Sequence, residues 1–379
     1  MKIALVIDKL DEARGGAARW TIRLGQWLVL RGHVVHFVAN RASDELKTHY
    51  DVTLVDRSRN PVKNASRFDH TLRELDIDVV HDMGVGTQFD LLQSHIGSPI
   101  AHDAVRDAIC TPIQRVHRRL FASRRERQRK ALHQRQFTSD RGRFLAVSPK
   151  VAKDMVDFEG VSPDRIDVVC NGVDTGMFVS DHTNLIRQNT RTHLGIKIDQ
   201  YLLLLVAHNH RLKGLPTIMK ALDALPPEVS SLQLLVAGGP SRKERRIGRH
   251  SIRWLGNVAD MLPLYQSVDA LVHPTRYDAC SLCVLEAMAC GLPTITTPEN
   301  GVCHVLDDGK NGLVLQDSLD WQTLSQQIVS LDDPTIRSQI GLNARETARA
   351  WQAEDNFREI ERLYRSILRL KKVQSGLAA

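Results

Sequence analysis

The sequence holds 379 residues, 42% of them hydrophobic and 25% charged, a globular composition that excludes wholesale disorder, collagen and coiled coil. A mean hydropathy of −0.25 and apolar runs no longer than stretches such as Tyr201–Ala207 exclude an integral helical membrane protein. The net charge is +7, and its excess lies early, since residues 1–170 carry 28 Lys and Arg against 22 Asp and Glu.

The opening residues, MKIALVID, read as a strand (Ile3–Asp8). They lack the apolar region and small-residue cleavage site of a signal peptide. Ala17–Leu30 follows with Ile22, Leu24, Trp27 and Leu28 at helical spacing; Gly32 ends it and Val34–Ala39 is the next strand. This βαβ unit wants a parallel sheet covered by helices. Strand patterns continue through Val52–Val55, Asp78–His81, Phe89–Ser94 and Phe144–Val147. Between the last two lies a basic segment, Arg115–Arg135, read as helix. It holds Arg115, Arg118, Arg119, Arg124, Arg125, Arg127, Arg129, Lys130 and Arg135 against one acid, Glu126. Such a stretch attracts phosphate-bearing surfaces, and a solvated helix face has the same composition.

The alternation then restarts. Tyr201–Ala207 is β-rich, Leu215–Leu225 helical and Leu232–Ala237 a strand; Arg253–Leu255, Ala270–Val272 and Thr294–Thr296 are short strands, with a helix over Ser281–Ala289. Two successive series imply two doubly wound α/β domains with a cleft between them. The boundary is expected near Val173–Arg191, where Asn171-Gly172 and a polar stretch interrupt the pattern. A last helix over Asn356–Leu370 carries one apolar stripe: Phe357, Ile360, Leu363, Tyr364 and Ile367.

Three clusters carry chemistry. Gly15-Gly16, after Arg14, sits between the first strand and the first helix, where glycine admits positive φ and a helix N-terminus favours an anion; a mere turn is the plainer reading. His208–Gly214 follows the first strand of the second series and places Arg211 and Lys213 where a diphosphate could be held; the alternative is a basic surface loop. The third, His273–Pro293, contains two carboxylates, Asp278 in a loop and Glu286 in the following helix. Its loop amides suit phosphate and Glu286 suits the vicinal hydroxyls of a ribose.

With the pattern Asp278-x7-Glu286-Ala-Met-Ala-Cys-Gly-Leu-Pro, the sequence resembles glycosyltransferase family 4, the retaining sugar-nucleotide transferases of the GT-B fold. That family carries Glu-x7-Glu followed by Ala-x-Ala-x-Gly-x-Pro. Gly15-Gly16, Arg31-Gly32-His33, Asn171-Gly172-Val173-Asp174, Val236-Ala237-Gly238-Gly239 and Asp308-Gly309-x-Asn311-Gly312 match in order along nearly the whole chain. Arg211-Leu212-Lys213-Gly214 and the stretch ending Arg135-Gln136-Phe137 bring it nearest the lipopolysaccharide core glucosyltransferase I-like subgroup.

The resemblance implies two Rossmann-like domains facing an interdomain cleft: residues 1–172 for the acceptor, 173–355 for the nucleotide sugar, and 356–379 as a helix packing back on the first. It implies that Lys213 and Arg211 bind the donor diphosphate, Glu286 the ribose, and Asp278 a hydroxyl of the donor sugar. Ser281, Leu282 and Cys283 would offer amides to sugar and phosphates, while Gly15 and Gly16 lie against donor phosphates or acceptor. The first carboxylate is Asp, one methylene shorter than the family Glu. A histidine after an N-domain strand matters for transfer in the family; His95 fits that place, with His102 as its competitor.

No Asp-x-Asp pair of the kind that metal-dependent transferases of another fold use is evident, so no metal is expected and the cationic loop with helix-dipole amides must stabilise the leaving diphosphate. Cys280-x2-Cys283 has zinc spacing, but no second close pair accompanies it. Reduced thiols in the cytoplasm are expected. The resulting expectation is a retaining, metal-independent hexosyltransferase without a cofactor. It would use a nucleoside diphosphate sugar, UDP-linked, and a glycan or glycolipid acceptor in lipopolysaccharide or cell-surface polysaccharide synthesis. It would dock on the anionic inner face of the cytoplasmic membrane through Arg115–Arg135, with no nucleic acid partner. A nucleotide-sugar 2-epimerase of the same fold and a non-catalytic lipid- or nucleic-acid-binding protein are the rival readings.

Overall fold

Strands of a parallel sheet covered on both faces are apolar along their whole length, and Tyr201–Leu205 shows the consequence, with every side chain at most 3% exposed. The computed structural model describes residues 1–12, 15–111, 113–116, 123–181, 183–229, 231–374 and 376. Arg14, Arg118 and Arg119, named above, lie outside the described residues. The chain divides into two units, residues 1–170 with 354–379, and residues 171–353.

In the first unit the strands are β1 (Lys2–Leu10), β2 (Val34–Ala42), β3 (Asp51–Leu54), β4 (Val79–Asp82), β5 (Leu91–Leu92), β6 (Arg143–Ala146) and β7 (Ile166–Val168). They form one sheet in the order β3-β2-β1-β4-β5-β6-β7, all parallel. Order reverses between β1 and β4, the topological switch point where open α/β sheets bind ligands. The helix Gly16–Leu30 packs on this sheet through Gly25, where a Cβ would meet the Phe37 ring at 2.3 Å. The expected strand Phe89–Ser94 shrinks to the two residues of β5.

The second unit holds β8 (Tyr201–Val206), β9 (Leu232–Ala237), β10 (Arg245–Ile247), β11 (His250–Gly256), β12 (Ala270–Val272), β13 (Thr294–Thr296) and β14 (Leu313–Val314). Their order is β10-β11-β9-β8-β12-β13-β14. The switch point falls between β8 and β12. The sheet is parallel except at β10, which pairs antiparallel with β11 through a tight turn with Gly248 at φ +55°.

The crossing falls at Cys170–Asn171, two residues before the expected division at 172/173, and the polar stretch expected to mark the boundary is in part a helix, Leu185–His193, of the second unit. Its polarity misleads because Arg191 is 1% exposed. The Arg191 guanidinium donates to the carbonyls of Ser267, Lys197, Ile198 and Gln200 and to the Asp269 carboxylate at 2.9 Å. Asp269 also accepts from the Leu202 amide of β8 and from Arg187.

The chain returns to the first unit through the helix Ala353–Gln374. Phe357, Ile360, Tyr364 and Ile367 are buried; the Tyr364 hydroxyl and His81 Nδ1 share a 2.6 Å hydrogen bond, and Glu361 lies 3.0 Å from His33 Nε2. Among the described residues no helix is long and apolar enough to cross a membrane.

Candidate functional site

In the second unit, the loops leaving β8 and β12 flank the switch point. The β8 loop turns at Gly214, φ +82°, and lies so close to the segment after β12 that a Cβ there would meet the Pro274 carbonyl at 2.1 Å. The Leu212 carbonyl accepts from the Arg276 amide at 2.9 Å, which locks the two loops together.

This contact delivers Lys213 to Asp278. The Lys213 ammonium donates to the Asp278 carboxylate and, at 3.4 Å, to the Tyr277 carbonyl. Ser281 Oγ donates to the same carboxylate oxygen, and His273 Nε2 lies 3.4 Å from that oxygen and 3.2 Å from Ser281 Oγ. Burial alone would push the Asp278 carboxyl up; the Lys213 charge and the His273 hydrogen bond outweigh it and hold the carboxyl well below the usual range. Burial lowers the His273 imidazole, which favours its neutral form, and its buried Nδ1 has no partner among the described residues. Arg211 is exposed.

Ser281 is the N-cap residue of the helix Leu282–Ala289. Its own amide is taken by Asn300 Oδ1 at 3.2 Å, so of the three amides named from the sequence only those of Leu282 and Cys283 lack an acceptor among the described residues. They are the orphan donors of a helix start, aimed outward along the positive end of its dipole. Glu286, one turn further in, is 8% exposed and accepts from the Tyr265 hydroxyl at 2.7 Å. Burial, with the Glu286 charge beside it, raises the Tyr265 phenol far above its usual range, which keeps it a donor.

His273, Asn300 and Tyr265 were not assigned roles from the sequence. His273 directly follows β12, which is a signal; Tyr265 and Asn300 lie 21 and 14 residues from Glu286 on separate elements, with no spacing to reveal them. Cys303 donates its thiol to the Thr297 carbonyl, burial raises the Cys283 and Cys290 thiols, and among the described residues no three His, Cys, Asp or Glu are arranged to hold a metal.

Gly15, Gly16, His95 and His102 belong to the first unit. Gly15, φ +113°, caps the helix Gly16–Leu30, and a Cβ there would meet nothing within 4 Å among the described residues. His95 follows β5 and meets the Trp20 ring edge-on at 5.6 Å. Its buried Nε2 has no partner among the described residues, and burial lowers its pKa to about 4, so it stays neutral near pH 7. His102 lies on the helix Pro99–Ala108 beside Asp103, which itself binds Arg106 and Arg129. The described part of the basic segment includes the helix Arg124–Phe137. Arg124, Arg127, Lys130 and Arg135 are exposed on one side, while Leu132, Gln136 and Phe137 are buried on the other.

Residues 14–176 match the family model described as Glycosyltransferase Family 4, and residues 200–333 the one described as Glycosyl transferases group 1. A D-inositol 3-phosphate glycosyltransferase of Thermomonospora curvata is 28% identical over 249 residues, covering 59% of this chain and 57% of the relative. Lipopolysaccharide glucosyltransferase WaaG of Escherichia coli K12 is 26% identical over 222 residues, covering 56% and 59%. The chain thus spans little more than half the length of these curated relatives. The crystal structure of WaaG, a glycosyltransferase involved in lipopolysaccharide biosynthesis, superposes with a TM-score of 0.78 at 22% identity, covering 94% of this chain and 98% of that one. Anabaena Alr3699/HepE in complex with UDP-glucose gives 0.73 at 15%, covering 97% and 100%. Both neighbours share the fold of two Rossmann-like domains.

Proposed function

Because the chain belongs to the glycosyltransferases that join a Family 4 domain to a group 1 domain, we propose that it moves a hexose from a UDP-linked sugar to a hydroxyl of a glycan or glycolipid. Transfer would proceed with retention, without a cofactor or a divalent cation, in lipopolysaccharide or cell-surface polysaccharide synthesis. The observation that carries this reading is the junction of Lys213, Asp278 and the open Leu282 and Cys283 amides at the β8/β12 switch point. One cation and two oriented donors there suit a diphosphate, and Glu286 suits the ribose. UDP-glucose bound to HepE, and the names of the relatives, support the donor and acceptor classes.

In this reading Lys213 exchanges Asp278 for the donor diphosphate, and Asp278 is released to accept from a sugar hydroxyl. Departure of the UDP is assisted by Lys213, Arg211 and the helix-start amides. The departing phosphate takes the acceptor proton on the face it leaves. His95, neutral at working pH, orients the sugar by hydrogen bonding rather than by charge. Exposed cations of the basic helix hold the enzyme at the inner face of the cytoplasmic membrane.

Slow hydrolysis of a panel of nucleotide sugars tests the donor. Release of UDP and hexose from one of them, intact after EDTA and lost in Lys213→Ala, is the expected result. An epimerised nucleotide sugar as the product, or activity that needs added manganese or zinc, would overturn it.

A further inference from the structure

The Tyr265 hydroxyl reaches Glu286 from another element. It donates to Glu286 Oε2 at 2.7 Å from the short helix Leu262–Ser267, and both side chains are buried. The last torsion of a glutamate side chain is broad and roughly two-fold, so a carboxylate keeps one orientation only where a fixed neighbour holds it. A phenol holds it without cancelling its charge, as an ammonium would. A ligand hydroxyl that donates to the same carboxylate then still forms a charge-assisted bond.

Tyr265 is itself held firmly. Its ring meets the buried Phe178 ring edge-on at 6.0 Å. On its helix, Gln266 Nε2 donates to the Val179 carbonyl at 2.7 Å. The Ser267 carbonyl accepts from Arg187 at 3.1 Å and from the buried Arg191 at 2.8 Å. Ser180 Oγ donates at 2.8 Å to the carbonyl of Cys290, the C-cap of the helix that carries Glu286. Residues 178–180 therefore hold the donor's helix and the acceptor's helix together. A phenylalanine at 265 would fill the same space, so the hydroxyl serves the carboxylate and not the packing.

We propose that Tyr265 is a positioning residue for the nucleotide: it fixes the plane of the Glu286 carboxylate, so that the vicinal hydroxyls of the ribose, and not the diphosphate alone, decide which nucleotides bind. The inference rests on the transferase reading above and adds to it a residue that touches no substrate. Tyr265 acts through Glu286 only, and its effect is confined to nucleotides that carry those hydroxyls.

Calorimetric titration of the full chain with UDP and with 2′,3′-dideoxy-UDP tests it. The unaltered protein should bind UDP at least about tenfold tighter than the dideoxy nucleotide. Tyr265→Phe should weaken UDP about fivefold or more and leave the dideoxy nucleotide within about twofold, so that the ratio of the two affinities falls. Tyr265→Met, apolar and adaptable, should act in the same sense and keeps the test open where Tyr265→Phe does not fold. In Glu286→Ala, which has no carboxylate to orient, adding Tyr265→Phe should change neither affinity by more than about twofold. An unchanged ratio in the Tyr265 variants, whether both affinities hold or both fall together, would overturn the inference and leave the transferase reading standing. A further loss of UDP affinity on adding Tyr265→Phe to Glu286→Ala would overturn it too, as would equal binding of the two nucleotides by the unaltered protein. No binding of UDP by the unaltered protein would remove the transferase reading and the inference with it.

Discussion

Lys213 and Asp278 form the ion pair on which the candidate site turns, and both are mostly covered. Replacing Lys213 by Ala leaves a buried carboxylate facing only His273 and Ser281, which should destabilise the second unit by about 3 kcal/mol. Adding Asp278→Asn should restore part of that loss, because the unpaired charge is gone; urea unfolding of the four proteins of the cycle measures the coupling. Strict additivity would show that the pair contributes nothing. At the same time Lys213→Ala should weaken UDP by roughly ten- to a hundredfold. These two residues were legible in the sequence, since a cation before glycine and an acid eight residues before Glu286 stand at short, fixed spacings. Tyr265 was not, because its hydrogen bond to Glu286 joins separate elements. Ser281 was read as an open amide, and only the fold shows Asn300 occupying it. His95 offers a further check. With its imidazole lowered to about 4 by burial, its charge should not appear in the pH dependence of turnover between about pH 5 and 8, and His95→Gln should lower turnover without adding a step in that range.

Among the elements, two helices show how polarity can mislead. Leu185–His193 looks like a linker by composition, yet its Arg191 fills an interior position with five acceptors around it. Arg191→Met should cost about 3–5 kcal/mol by stranding Asp269 and the carbonyls it serves. Arg187→Ala, at a partly exposed neighbour, should cost less; equal losses in urea unfolding would contradict this account. Strands such as β9, β12 and β13 were readable to the residue because they are short apolar runs between turn residues. The β5 strand was over-read, since the ladder stops at Leu92 and the Gln93 and Ser94 that follow are buried polar residues outside it. The helix Arg124–Phe137 carries the membrane expectation. Its outward cations should gain about 1 kcal/mol each near an anionic surface before screening. Arg124, Arg127, Lys130 and Arg135 changed together to Gln should therefore abolish sedimentation with anionic vesicles at low salt. Undiminished sedimentation would place any membrane contact elsewhere.

For the molecule as a whole, acid should act first on the unit built from residues 1–170 and 354–379. There burial lowers His81 to about 3 and His95 and His133 to about 4. Unfolded imidazoles take up protons below about pH 6.5 and these folded ones do not, so stability is full above that pH and is lost as pH falls toward 4. Asp82 works the other way: burial raises it to about 6, so it adds stability as pH falls from about 6 to the ordinary carboxylate range. Three groups against one leave a net uptake of about two protons on unfolding near pH 5. Urea midpoints should fall steadily from pH 7 to 4.5, and less steeply in His95→Gln; a flat profile would refute the assignment. The return of the chain through Ala353–Gln374 has its own consequence for biosynthesis. A ribosome delivers residues in order, so the unit that begins first is the one completed last. While residues 171–353 already have every strand they need, the apolar surface awaiting Phe357, Ile360 and Tyr364 stays open, and His81 waits for its hydroxyl. The early-made sheet is therefore the part of the nascent chain that molecular chaperones would have to shelter longest.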